Sequence, residues 1–393
     1  MTTSIRVRAL ALTAAAAVTI GAGGSEGNGT SAITAAPGAG AADTERAAVA
    51  LSLTETGCDP AVLSAPAGEV AFTVDNARAA KAEFEIISAV PKIIAEEFLE
   101  PGASATYTVT LTAGEYQLIC GAPSDTRGAL TVTGEGGAQA ALAVDEAELA
   151  NATSAYSAYV NEQVDLLVAG TAKLVAAVKA GDLDQAKGLY APVRRPWERI
   201  EPVAELFPDS DAAIDSRVDD FTGPDDPAFT GFHRLEKGLW QDGTTSGLSS
   251  LADRLAADVD ALAGNVRALT ITPDVMVNGA AGLIEEAAQT KITGEEERYS
   301  RTDLDTFAAN VEGARVIYQG VSGLLEGVDP ALKAEIGDRF ATIDRLLAPY
   351  QQGDAYVPYD QLDDAARTQL KAALAGLSEN LALVAGAIGL EVA

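Results

Sequence analysis

The spacing of apolar positions changes once along this chain. Between residues 45 and 134 apolar, β-branched and aromatic residues gather in short runs, at 70–74, 82–87, 106–111, 116–120 and 129–132. Turn-forming segments such as Pro66-Ala67-Gly68, Glu100-Pro101-Gly102 and Ala113-Gly114 separate many of them. Short strands at this spacing predict a small antiparallel β-sandwich. Gly134-Glu135-Gly136-Gly137 then reads as a linker, over 135–143. From about Val144 the period becomes helical. Leu149, Tyr156, Val160, Val164, Leu167, Leu174 and Val178 form one stripe, and Leu248, Leu251, Leu255, Val259, Leu262 and Val266 another. Gly181 suits a helix end, and Asp182 with Gln185 a fresh N-cap. Thr272-Pro273 opens a further helix that Gly294 closes. More stripes run over 304–325, 330–349 and 361–388. Long amphipathic helices with short connections predict antiparallel bundles. The chain is therefore expected to be an α+β two-domain protein, with a β-sandwich over 45–134 and an all-α domain over 144–393.

The first 44 residues follow neither period. Arg6 and Arg8 precede an apolar stretch over 9–20, too short to span a bilayer as a stable helix, which reads as a signal peptide. A Gly/Ser/Thr/Ala-rich segment to about Ala42 reads as a flexible linker. The pattern resembles a bacterial lipoprotein signal in which a Cys would stand where Ala22 is. No other segment reads as long and apolar enough to cross a membrane. The mature protein is expected in the periplasm or at the outer face of the cytoplasmic membrane.

Charge narrows the partners. The chain carries 57 Asp and Glu against 27 Lys and Arg, a formal net charge of −30. Such a surface repels nucleic-acid phosphates and anionic lipid, and attracts cations. Its two cysteines, Cys58 and Cys120, are compatible with a disulfide in an oxidising compartment or with paired thiolates on a metal. There is a single histidine, His233. Glu236 follows three residues later, on the same face of a helix, so that one metal ion could touch both. By composition an acid stands at that offset about one time in seven, so the pair alone is weak. Glu198 and Glu201 repeat the spacing in Arg195-Pro196-Trp197-Glu198-Arg199-Ile200-Glu201-Pro202. There Pro196 fits a first helical turn, and Pro202 is expected to kink or shorten the helix. Asp215 and the run Glu295-Glu296-Glu297 complete the candidates.

At the level of whole motifs the chain resembles a known family. Residues 197–202, 229–236 (Phe-Thr-Gly-Phe-His-Arg-Leu-Glu) and 294–304 (Gly-Glu-Glu-Glu-Arg-Tyr-Ser-Arg-Thr-Asp-Leu) are similar to the imelysin-like (peptidase M75) domain of the EfeO family of periplasmic iron-uptake proteins. Cys58-Asp59-Pro60, Glu83-Phe84-Glu85-Ile86 and residues 114–121 are similar to that family's cupredoxin-like domain. The resemblance implies a cupredoxin-like sandwich followed by an imelysin-like helical bundle. It also implies a metal site with His233 and Glu236 as core pair, and Glu198, Glu201, Asp215 and Glu296 as further ligands or polar site residues. A second site near Cys58, Glu83 and Cys120, with Glu85, is implied for the β domain, against the alternative of a Cys58–Cys120 disulfide.

One imidazole among carboxylates suits a hard cation: iron as Fe3+ or Fe2+, with manganese, calcium, zinc and copper as other candidates. Copper of the blue electron-transfer type is excluded, because it needs two His and none precedes residue 233. The family's system further implies delivery to a membrane iron permease, alongside a haem peroxidase. A metallopeptidase is the enzymatic rival, but zincin chemistry takes a second His that the chain lacks. A Ser-His-Asp hydrolase would need a nucleophile elbow, and no Gly-x-Ser-x-Gly is present. The third class is an envelope protein binding acidic polysaccharide through metal bridges.

Overall fold

The computed structural model describes residues 47–88, 93–121, 127–134 and 144–390. The expected signal segment and Ala22, and the expected linker over 135–143, lie outside the described residues.

The β part is built from β1 (Ala47–Thr54), β2 (Gly57–Asp59), β3 (Val62–Pro66), β4 (Gly68–Asn76), β5 (Ala82–Ser88), β6 (Ile93–Leu99), β7 (Ser104–Leu111), β8 (Gly114–Cys120) and β9 (Gly128–Thr133). They form a four-stranded sheet, ordered β2-β1-β4-β7, and a five-stranded sheet, ordered β3-β9-β8-β5-β6. Alternation sends Val49, Leu51 and Leu53 of β1 and Val70, Phe72 and Val74 of β4 into the shared core, with Phe84, Ile86, Leu118 and Leu130 opposite. The sandwich is mixed rather than purely antiparallel. β1 runs parallel to β4, and β3 parallel to β9. Such pairs join strands distant in sequence, and so escape a reading based on neighbouring runs.

Cys58 and Cys120 form a disulfide, with Cα atoms 5.1 Å apart. A bonded sulfur is not a thiolate, so the metal-ligand alternative for these two residues is set aside. Glu83 is separated from them by the pleat. Phe84 pairs with Cys120 across β5 and β8, and both are core residues. Glu83 and Glu85 therefore point to the opposite face of that sheet.

The helices are α1 (Glu146–Ala180), α2 (Leu183–Ala204), α3 (Pro208–Asp215), α4 (Gly231–Glu236), α5 (Ser249–Ala268), α6 (Pro273–Gln289), α7 (Asp303–Val328), α8 (Pro330–Leu347) and α9 (Asp364–Ile388). Asp145 caps α1 through the amides of Ala147 and Glu148, and Gly181 ends it in the left-handed region. Asp182 then caps α2 through the Gln185 amide, as its spacing predicts. α1 packs on α2 and α5, α2 on α7, and α6 on α7 and α9. Pro196 lies inside α2 rather than in a first turn, as do Pro192 and Pro202. α9 is long and apolar enough by composition to cross a membrane, contrary to the sequence reading. Yet Leu370, Leu374, Leu377, Leu381 and Val384 are buried in the helical core, so it is a core helix.

Candidate metal centre

Several elements deliver charged side chains to one buried region. On α2 the helical spacing aligns Arg194, Glu198 and Glu201 along one face. Pro202 cannot donate to the Glu198 carbonyl four residues back, which frees that oxygen. Asn310 of α7 fills the gap: its Nδ2 donates to Glu198 O at 3.0 Å, and to Glu201 Oε2 at 2.9 Å. α3 ends on Asp215, which accepts a hydrogen bond from the Trp197 indole at 2.9 Å. α4 begins at Gly231, with φ 77°, where an added Cβ would run into the Ile214 carbonyl. Only glycine lets the short helix start so close to α3, and that start aims His233 inward.

His233 is 2% exposed, and its two ring nitrogens face different carboxylates. Nδ1 lies 3.5 Å from Glu236 Oε2. Nε2 lies 3.4 Å from Asp215 Oδ1 and 3.6 Å from Glu296 Oε1, and makes no hydrogen bond. The other oxygen of Glu236, Oε1, accepts from the amides of Tyr299 and Ser300, at 2.9 and 2.7 Å. This pins the carboxylate in place. Those amides belong to the loop before α7, which also carries Glu296 and Glu297. Two sets of ligand atoms thus converge on the histidine: Asp215, His233 and Glu296 on one side, and His233, Glu236 and Glu297 on the other. A third acidic set, Glu201, Glu205 and Glu286, does not include it.

Cations that the ligand-seeking sequence reading passed over lie among these acids. Arg194, 1% exposed, contacts Asp215 and Glu198, approaches Glu296 Oε1 to 3.3 Å, and lies 2.5 Å from Glu297 Oε1 through Nε. Lys291, equally buried, contacts Glu201 and lies 3.2 Å from Glu198 Oε2. Arg217 reaches Glu296 Oε2 at 2.9 Å. The only local signal was the i,i+4 spacing of Arg194 and Glu198; Lys291 gave none. The structure therefore brings Asp215, Glu236 and Glu296 to His233, and gathers Glu198 and Glu201 around Lys291 and Asn310.

Electrostatics sorts the acids. Burial pushes against ionisation of Asp215, but Arg194 and His233 hold its pKa well below the carboxylate range. Glu296 is likewise lowered, since Lys291, Arg217 and His233 overcome burial. Glu297 goes the other way, pushed up to about 8 by burial although Arg194 opposes it. Asp303, whose Oδ1 accepts from the Glu297 amide at 3.1 Å, is raised by burial to about 7. Burial and Arg194 oppose a charge on His233, yet Asp215, Glu236 and Glu296 raise its pKa well above the usual value. The side facing Nε2 thus carries two firmly ionised carboxylates and a nitrogen with no hydrogen bond. Such a donor set fits a hard cation.

A cavity of about 470 Å³ opens onto this side, lined by Asp215, Arg217 and Glu296 from the helical part and by Lys81, Glu83 and Glu85 from β5 and its approach. The β-sheet carboxylates that the sequence reading grouped with the cysteines therefore face this cavity.

Comparison with known proteins agrees with the two-part architecture. Residues 152–384 match the Imelysin family model, and residues 29–132 the cupredoxin-like domain model. The chain is 44% identical over 344 residues to the iron uptake system component EfeO of Yersinia pestis, covering 87% of this chain and 92% of that one. It is 42% identical, with the same coverage, to the EfeO protein of Escherichia coli O6:H1.

Proposed function

The chain belongs to the EfeO family of iron uptake system components, and from that premise we propose that it binds iron itself, outside the cytoplasmic membrane, at the centre around His233. The proposed seat is His233 Nε2 with Asp215 and Glu296. Glu236 holds Nδ1 from behind, as carboxylates orient metal-bound imidazoles. Glu198 and Glu201 support the seat through Arg194, Lys291 and Asn310. One observation carries the assignment: a buried imidazole nitrogen with no hydrogen bond faces two ionised carboxylates at 3.4 and 3.6 Å.

The division of labour we propose is an export segment over 1–44, a β domain over 45–134, a linker over 135–143 and the iron-holding helical domain over 144–393. Delivery would be to a membrane iron permease, with a haem peroxidase of the same system as a further partner. Iron is cargo here, and coordination by deprotonated groups makes its capture pH-dependent. A hydrolytic role gains no support from the residues, since the single histidine leaves a zincin centre one imidazole short. Calorimetric titration with Fe3+, supplied as its citrate complex, tests the reading. His233→Ala should abolish the tight phase, and identical isotherms for wild type and variant would refute it.

A further inference from the structure

Among the cations of this centre Arg194 meets the same oxygens that face His233 Nε2, Asp215 Oδ1 and Glu296 Oε1, whereas Arg217 meets Glu296 Oε2. The Arg194 side chain is 1% exposed, and it contacts Glu198 and Asp215, with Glu296 at 3.3 Å and Glu297 at 2.5 Å. Its guanidinium lies over the Phe232 ring, 5.3 Å from the centroid. Arginine keeps its charge at any pH at which a protein is folded. A guanidinium and a metal ion on Asp215 and Glu296 therefore compete for the same oxygens.

We infer that Arg194 is the built-in counter-ion of this centre, and that a di- or trivalent cation binds by exchange with it. This rests on the seat proposed above. The cation takes Asp215 and Glu296, while the guanidinium retains Glu198 and Glu297 on its other edge. Buried carboxylates need a positive partner whether or not a metal is bound, and Arg194 supplies one. The same charge then repels the incoming cation and weakens its hold. Exchange suits a carrier, because the cargo's departure leaves the acids compensated. Lys291 performs the first half of this role for Glu198 and Glu201, but neither acid touches His233.

Titration of the full chain with Fe3+ citrate provides the test. Arg194→Met should bind at least tenfold more tightly than wild type, and Arg194→Lys, which keeps the charge but not the planar fork, should fall between them. A folded Arg194→Met that binds no more tightly than wild type overturns the exchange and leaves the seat standing. A wild type that binds no iron sinks the seat instead. The second measurement needs no stable methionine variant. Ga3+, a diamagnetic stand-in for Fe3+, should shift the side-chain Nε–Hε NMR signal of Arg194, identified by its loss in Arg194→Lys. A signal unmoved at saturation overturns the inference.

Discussion

Lys291→Met tests how much of the centre's architecture depends on internal cations. The lysine is 1% exposed, 3.2 Å from Glu198 Oε2, in contact with Glu201 and 3.8 Å from Glu286 Oε2. Methionine has similar length and keeps the packing, so the substitution removes charge and little else. Stranding one side of a buried ion pair costs about 3–5 kcal/mol. The group that can relieve this penalty is Glu201, whose pKa burial and Glu286 already raise well above the usual range while Lys291 opposes them. Without the lysine that pKa rises further, so the variant relieves the penalty by holding a proton on Glu201 more firmly. We therefore expect a loss of about 3 kcal/mol at pH 8, at the low end of that range. The loss should shrink as the pH falls, because protonation becomes cheaper. Urea unfolding followed by tryptophan fluorescence measures it. Both tryptophans, Trp197 and Trp240, lie in the helical domain, so the signal reports that domain alone. Adding Glu201→Gln should recover about 1 kcal/mol or more, as contacting residues couple. A loss under about 1 kcal/mol at pH 8, or one that grows on acidification, would refute the reasoning.

Other consequences follow from the same geometry. Asp215, Glu236 and Glu296 raise the pKa of metal-free His233 against burial and Arg194, which favours its protonated form, so a metal at Nε2 displaces a proton. Iron affinity should weaken as the pH is lowered, and calorimetry at pH 7 in buffers of different ionisation enthalpy should show net proton release; its absence would contradict the assignment. Glu297, pushed up to about 8, keeps a proton in the folded state that the unfolded chain gives up near pH 4. Between those values its contribution to stability declines as pH rises. Glu297→Gln should accordingly gain in urea midpoint relative to wild type from pH 5 to pH 8, and a relative loss would reverse the sign we assign. Gly231→Ala should cost several kcal/mol, about 3 or more, and weaken iron binding, because α4 cannot start where it does with a Cβ in place. Opening the Cys58–Cys120 bond, 62 residues apart, should destabilise the β domain by about 4 kcal/mol on a loop-entropy basis, yet leave iron affinity at His233 unchanged.

Much of the fold was legible because local rules governed it. The stripes of α1 and α5, the Gly181–Asp182 break and the Thr272-Pro273 start depend on residues within a turn or two of each other. Where the sequence reading erred, distant residues decided the outcome. Pro196 reads as a helix start, but α2 carries it in its interior because packing on α1 and α7 outweighs a lost hydrogen bond. The parallel pairing of β1 with β4 has no signature in either strand. Glu83 resembled a partner of the cysteines until the pleat put it on the opposite face. In the centre, ligand types were visible as carboxylates around one histidine, and the family motifs grouped them. Their division between a side facing His233 and a side facing Lys291 was not visible, because ligand patterns omit the positive charges that buried acids require. Arg194 and Lys291 are spaced 97 residues apart, and only the folded chain brings both to Glu198.

Whether iron sits at His233 is decided by anomalous diffraction at the iron edge from crystals loaded with Fe3+ citrate. A peak is expected within coordination distance of His233 Nε2, Asp215 and Glu296, with Glu236 still on Nδ1 and Arg194 drawn toward Glu198 and Glu297. Strong iron density bound elsewhere, with none at His233, would contradict the assignment.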